Sequence, residues 1–179
     1  CEEFDKDVTE LQSKRIGEFY DIVPESQATF GGMDINQARA LYAMIRAEEP
    51  KIVVETGVCN GVSTLVVLMA LEKNQDGELF SVDYPTFSDD PAPEFQKEQY
   101  PADHTFSAIP KNKEPGWIIP EELRDRWELR IGKSQRKLPS LLNELEEIDI
   151  FIHDSDHTFP CMMFEYELAW EYLHADGIL

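Results

Sequence analysis

Positive charge is scarce in this sequence: 16 Lys and Arg stand against 36 Asp and Glu, a formal net charge of −20 over 179 residues. Nucleic acids and anionic membrane surfaces are held by clustered Lys and Arg, so this balance excludes both as partners. The carboxylates are spread along the chain rather than gathered in a tail, the pattern of an acidic protein surface. Cysteine is sparse too. The three, Cys1, Cys59 and Cys161, are odd in number and far apart, which fits neither a disulfide framework nor a zinc site. No apolar run approaches the ~18 residues of a membrane span, and no signal-peptide pattern opens the chain. The expectation is a soluble, cytoplasmic protein of one domain, long enough to bury a real core.

What is present is organised around residues 51–64, KIVVETGVCNGVST. Residues 51–55 read as a buried parallel strand that runs into a turn with Gly57 and Gly61. Ser63, Thr64 and the apolar run 65–71 then open a helix. A strand, a glycine turn and a helix form the first unit of a nucleotide-binding α/β domain, with the ligand on the turn and the helix N-terminus. The dinucleotide fingerprint is Gly-x-Gly-x-x-Gly, whereas this turn is Glu-x-Gly-x-x-x-Gly. Glu55 at the mouth of the turn repels a pyrophosphate and suits a ligand with an ammonium or sulfonium charge. Cys59 reads as a small turn residue, because no base is placed beside it.

Around this unit the chain alternates. Residues 5–20 suggest an amphipathic helix with Val8, Leu11, Ile16, Phe19 and Tyr20 toward one face. Asp34 and Gln37 make a capping box for a helix that ends before Pro50. Residues 78–82 read as a second strand ending in Asp83, placed to accept both hydroxyls of a ribose. Residues 84–117 lose periodicity and mix prolines (Pro85, Pro91, Pro93, Pro101, Pro110, Pro115) with aromatics (Phe87, Phe95, Tyr100, Phe106, Trp117). This is a loop expected to shape an acceptor pocket. A short helix from Pro120, a third strand over 127–131 and a Leu138, Leu141, Leu142, Leu145 stripe with Pro139 near the helix start follow. Residues 148–152 read as a central strand carrying His153, Asp154, Ser155, Asp156 and His157 at its carboxyl end. Met163, Tyr166, Trp170 and Leu173 predict a core stripe, with Glu165, Glu167 and Glu171 mostly on other sides. That helix is expected to close through residues 174–177 before strand five begins at Ile178.

The segment 55–64, with Asp83 and the HDSDH run at 153–157, resembles class I S-adenosylmethionine-dependent methyltransferases. The branch is the one containing macrolide sugar O-methyltransferases and cephalosporin hydroxylase-like proteins, methyltransferase domain family 24. The resemblance covers about residues 33–179, leaving 1–32 as an N-terminal helix and loop. It implies an α/β, Rossmann-like doubly wound, mainly parallel sheet with helices on both faces. Because residues 176–179 read as the start of a strand, the expectation is a piece of a longer protein, truncated at strand five. Such a sheet would leave an edge open to self-association.

From the resemblance, S-adenosylmethionine would be bound through Glu55, Gly57, Gly61, Ser63 and Asp83, with Ser134 near the adenine. Asp154 would be an active-site acid or a magnesium ligand and His157 a general base. His153 and Asp156 read as partners in a local hydrogen-bond network. Methyl transfer is an in-line displacement, so the enzyme positions a small-molecule hydroxyl and removes its proton; Mg²⁺ is a second means of doing so. Two other classes fit parts of the pattern. One is a nicotinamide-dependent oxidoreductase, disfavoured by Glu55; the other is a non-catalytic assembly protein that keeps the fold.

Overall fold

The computed structural model describes residues 2–23, 30–90 and 107–179. Pro24, Pro91, Pro93, Phe95, Tyr100, Pro101 and Phe106 lie outside the described residues. So do the side chains of Val8 and Leu11.

Among the described residues five strands form one sheet in the order β3-β2-β1-β4-β5, with every neighbouring pair parallel. They are β1 (Ile52–Thr56), β2 (Glu78–Asp83), β3 (Trp127–Ile131), β4 (Ile148–His153) and β5 (Leu173–Ile178). Helices α1 (Glu2–Tyr20), α2 (Ile35–Glu48), α3 (Val62–Asn74), α4 (Ser134–Leu145) and α5 (Phe159–Trp170) are joined by a 3-10 turn at Glu121–Arg126. This is the doubly wound arrangement expected from strand and helix alternation. Chain order reverses direction between β1 and β4, the point where open sheets of this kind place their ligands.

Two apolar cores, one on each face, hold the sheet. Val53, Ile150, Leu65, Leu68 and Leu71 meet Ile45 of α2 on one face. Val54, Phe151 and Ile148 meet Leu138, Leu141 and Leu142 of α4 on the other. Helix α3 is buried over most of its circumference between the sheet and α2, which explains why its sequence is a continuous apolar run. The capping box of α2 forms as expected: Asp34 accepts from the amides of Asn36 and Gln37, and Gln37 accepts from the Asp34 amide. Helix α1 contributes Phe19, wholly buried in the first core, and Phe4, stacked on Tyr42 at 4.1 Å. Ile16 instead faces solvent. No helix among the described residues is long and apolar enough to cross a membrane.

Three boundaries differ from expectation. Helix α4 begins at Ser134, well before Pro139, which sits inside it. Helix α5 stops at Trp170, and His174, Ala175, Asp176 and Gly177 belong to β5 rather than to a helix end. The Ile148 amide donates to Tyr172 and Ile150 pairs with Ile178, so sheet pairing claims the segment, with an irregularity in between. The stripe predicted on α5 is also displaced: its buried line is Cys161, Glu165 and Ala169, while Trp170 is exposed.

Candidate active site

The loops that follow β1, β2, β3 and β4 surround a cleft of about 710 Å³ at the carboxyl edge of the sheet. Gly31, Gly32 and Ser107 also line it. A cleft of this size suits a nucleoside-sized ligand.

Its floor begins with the glycine turn. Gly57 has φ +88°, and a Cβ there would lie 2.2 Å from the Asp154 carbonyl oxygen; Gly61 has φ +98°, and a Cβ would lie 2.8 Å from the Gly116 Cα. Both positions need glycine for backbone conformation and for close approach. Beside the turn, Asp83 is 7% exposed. Its Oδ1 accepts from the Val58 amide at 3.2 Å, while its buried Oδ2 has no partner and the residue lines the cleft. Burial raises its pKa, opposed by the amides of Val58, Cys59 and Tyr84. An unpaired buried carboxylate oxygen at a cleft wall is an acceptor waiting for a donor.

Glu55 is not at the mouth of the turn. It is wholly buried beneath it, where Oε1 accepts from Ser63 (2.5 Å) and Oε2 from Thr64 (2.7 Å) and Ser81 (3.0 Å). Strand alternation turns this side chain toward α3, away from the cleft it was expected to line. Burial pushes its pKa up to about 7, against the three hydroxyls. Glu55 therefore positions the turn by tying β1, β2 and the start of α3 together. Ser63 lines the cleft, but its hydroxyl is engaged by Glu55.

Asn60 gave no signal in the sequence and proves to be a hub. Its amide nitrogen donates to the carbonyls of Phe30 (2.7 Å) and Ala108 (3.0 Å), and its oxygen accepts from Trp117 Nε1 at 2.5 Å. One turn residue thus fixes three separate loops. The Cys59 thiol is pushed up to about 12, by burial first and then by the Asp83 charge, so it stays protonated. On the β3 side, Ser134 lines the cleft at the first turn of α4, and Lys133 stands 5.3 Å over the Tyr84 ring.

After β4, Asp154, Ser155, Asp156 and His157 all line the cleft. The Asp154 amide donates to the Thr56 carbonyl, which joins the ends of β1 and β4. Asp154 Oδ1 lies 3.6 Å from His157 Nε2, longer than a hydrogen bond, and both side chains are more than half exposed. Partial desolvation in the cleft raises the Asp154 pKa despite that exposure, opposed by His157 and His153. Asp156 accepts from the Thr158 amide and hydroxyl, capping the approach to α5.

Glu165, expected on an outer side of its helix, is instead fully buried under this loop. It accepts from Thr56 Oγ1 (2.6 Å), His153 Nδ1 (2.7 Å) and Ser155 Oγ (2.9 Å). Burial alone would raise its pKa, but hydrogen bonds from His153, Ser134, Thr56 and Ser155 outweigh it and bring the group down to about 2. The only sequence signal for this was the spacing of Cys161, Glu165 and Ala169 by four residues. Among the described residues no group of three or more His, Cys, Asp or Glu side chains could hold a metal ion. Asp154 therefore has no described partners for Mg²⁺.

A family model described as a methyltransferase domain matches residues 54–179. No curated protein matches the chain. Among solved structures, the chain is similar to an O-methyltransferase from Bacillus cereus in complex with S-adenosylhomocysteine, with 16% identity and a TM-score of 0.59, covering 93% of this chain and 61% of that one. A methyltransferase from Podospora anserina bound to the same ligand gives 17% identity and a TM-score of 0.51, over 82% and 52%. The TomG O-methyltransferase from Streptomyces achromogenes, involved in tomaymycin synthesis and in complex with S-adenosylmethionine, gives 14% and 0.53, over 82% and 55%. The chain thus spans little more than half the length of these structures.

Proposed function

The chain belongs to the methyltransferase domain family, and from that premise we propose that it is an S-adenosylmethionine-dependent O-methyltransferase acting on a small-molecule hydroxyl. The observation that carries the cofactor is the unpaired, buried Oδ2 of Asp83 at the wall of the cleft, beside two glycines that leave the turn open to a ligand.

The residues fit the cofactor as follows. Asp83 accepts the ribose hydroxyls; the turn at Gly57 and Gly61 lets the ligand approach the backbone. Ser134 and the Tyr84 ring, with Lys133 over it, border the place where a base would lie. Glu55 acts from beneath, holding the turn through Ser63 and Thr64. The cofactor supplies a methyl group already activated by its sulfonium. What remains for the protein is to orient the acceptor oxygen and remove its proton. His157, exposed at the cleft, takes that proton on a ring nitrogen, and the nearby Asp154 carboxylate stabilises the resulting imidazolium.

The described residues do not supply a set of oxygen ligands for a metal ion. The acidic cleft, with Asp83, Asp154 and Asp156 against Lys133, favours a neutral or cationic acceptor over an anionic one. The involvement of one structural neighbour in tomaymycin synthesis fits a small-molecule acceptor. A cytoplasmic setting suits the free thiols of Cys59 and Cys161.

The test is transfer of a labelled methyl group from S-adenosylmethionine to a panel of neutral hydroxyl, amine and carbon acceptors. Label in an ether product that depends on His157 supports the reading; transfer only to nitrogen or carbon acceptors contradicts it.

A further inference from the structure

We propose that Glu165 is the positioning residue of the methyl-transfer site: its buried carboxylate locks the end of β1 and the loop after β4 in the arrangement that presents Asp154 and His157 to the cleft. What that loop does rests on the methyltransferase reading above; how it is held rests on geometry alone.

Glu165 does not line the cleft, but Ser155 and Cys161 do, and the side chains of both hydrogen-bond to it. Thr56 and His153, the last residues of β1 and β4, complete the set. One carboxylate therefore receives four donors, from the ends of two strands, the loop after β4 and its own helix. An ionised carboxylate can accept all four because it offers about four acceptor sites and no donor.

The arrangement reaches Asp154 by two routes. Thr56 donates its hydroxyl hydrogen to Glu165 and its carbonyl accepts from the Asp154 amide, so the side chain and the backbone of one residue link the two. Ser155, the next residue, is tied directly. The third anchor is His153, whose ring is 3% exposed and whose Nε2 has no partner. Its hydrogen bond to Glu165 through Nδ1 is the polar contact that fixes the ring. Because Glu165 is an acceptor, Nδ1 carries the proton, and the ring is held 5.4 Å from that of His157.

The test replaces acceptor sites by donors while keeping shape. In Glu165→Gln the side-chain NH₂ faces groups that are themselves donors. Hydrogen exchange on the unliganded full chain is expected to rise about tenfold or more for the amides of residues 153–158, the loss of roughly one hydrogen bond. Exchange in β2 stays unchanged. Binding of S-adenosylhomocysteine is expected to weaken about tenfold in Glu165→Gln and in Ser155→Ala, with the double variant no weaker than the worse single one. A merely structural role would not produce that coupling; independent, multiplying losses would overturn the proposal, as would unchanged exchange at 153–158.

Should Glu165→Gln fail to fold, Thr56→Val and Ser155→Ala each delete one donor and leave the carboxylate. Both are then expected to loosen the same six residues, and loosening in neither overturns the proposal. A wild-type chain that bound no S-adenosylhomocysteine would defeat the cofactor reading, while the exchange result would still decide the role of Glu165.

Discussion

The carbonyl oxygen of Asp154 stands 2.2 Å from where a Cβ on Gly57 would be. The turn after β1 and the loop after β4 are therefore in backbone contact, and the proposed cofactor turn and the proposed catalytic loop form one surface. Gly57→Ala must both adopt φ +88° and displace that loop. We expect it to lower stability by about 2–4 kcal/mol and to weaken S-adenosylhomocysteine binding at least ~10-fold. Denaturant unfolding and calorimetry check this; wild-type values in both would mean that the contact is not close in solution.

Asn60 makes a second prediction. Asn60→Ala leaves Trp117 Nε1 and the carbonyls of Phe30 and Ala108 without their partner. The expected cost is about 2–4 kcal/mol of stability, from several buried groups losing hydrogen bonds at once. Tryptophan emission should shift to the red as Trp117 is freed. A loss under ~0.5 kcal/mol would show that water replaces the amide without penalty.

Two buried carboxyls set opposite pH limbs. Glu55 rises from 4.5 to about 7 on folding, so the native state holds the extra proton and stability falls as pH climbs between those values. The size is on the order of 3 kcal/mol. Glu165 drops from 4.5 to about 2, so its stabilisation is complete above pH 4.5 and is lost as pH falls toward 2. Glu55→Gln is expected to flatten the limb between pH 4.5 and 7 and to leave the acid limb unchanged. Thermal melts of both proteins across pH 3–8 check it, and parallel curves would refute the burial argument.

His157→Ala should fold normally, because the side chain is 58% exposed. Methyl transfer is expected to fall about 10²–10³-fold with cofactor affinity changed less than ~3-fold, the loss of a general base. An undiminished rate would assign the proton to another group.

The parts of the site that were legible in the sequence are local ones. The turn, Asp83 at the end of β2 and the HDSDH run are each read within a few residues, and the capping box of α2 is complete between Asp34 and Gln37. What stayed hidden depends on long-range pairing. Glu165 is 109 residues from Thr56 in the chain, and Asn60 is 57 from Trp117. A polar side chain reads as surface until its distant partners are known. Glu55 reads as a cleft residue, yet its side chain lies on the other side of β1, since which face meets the cleft depends on where α3 packs. The end of α5 was misplaced for a related reason: Gly177 is a plausible helix stop, yet pairing of β5 with β4 overrides it.

The most direct measurement is a calorimetric titration of the chain with S-adenosylhomocysteine and, separately, with NADH, repeated on Asp83→Ala. The account predicts saturable binding of S-adenosylhomocysteine, weakened about 10- to 100-fold when the carboxylate is removed, the worth of hydrogen bonds to a charged group. NADH should not compete. Binding of NADH in its place, or S-adenosylhomocysteine binding that is indifferent to Asp83, would contradict it.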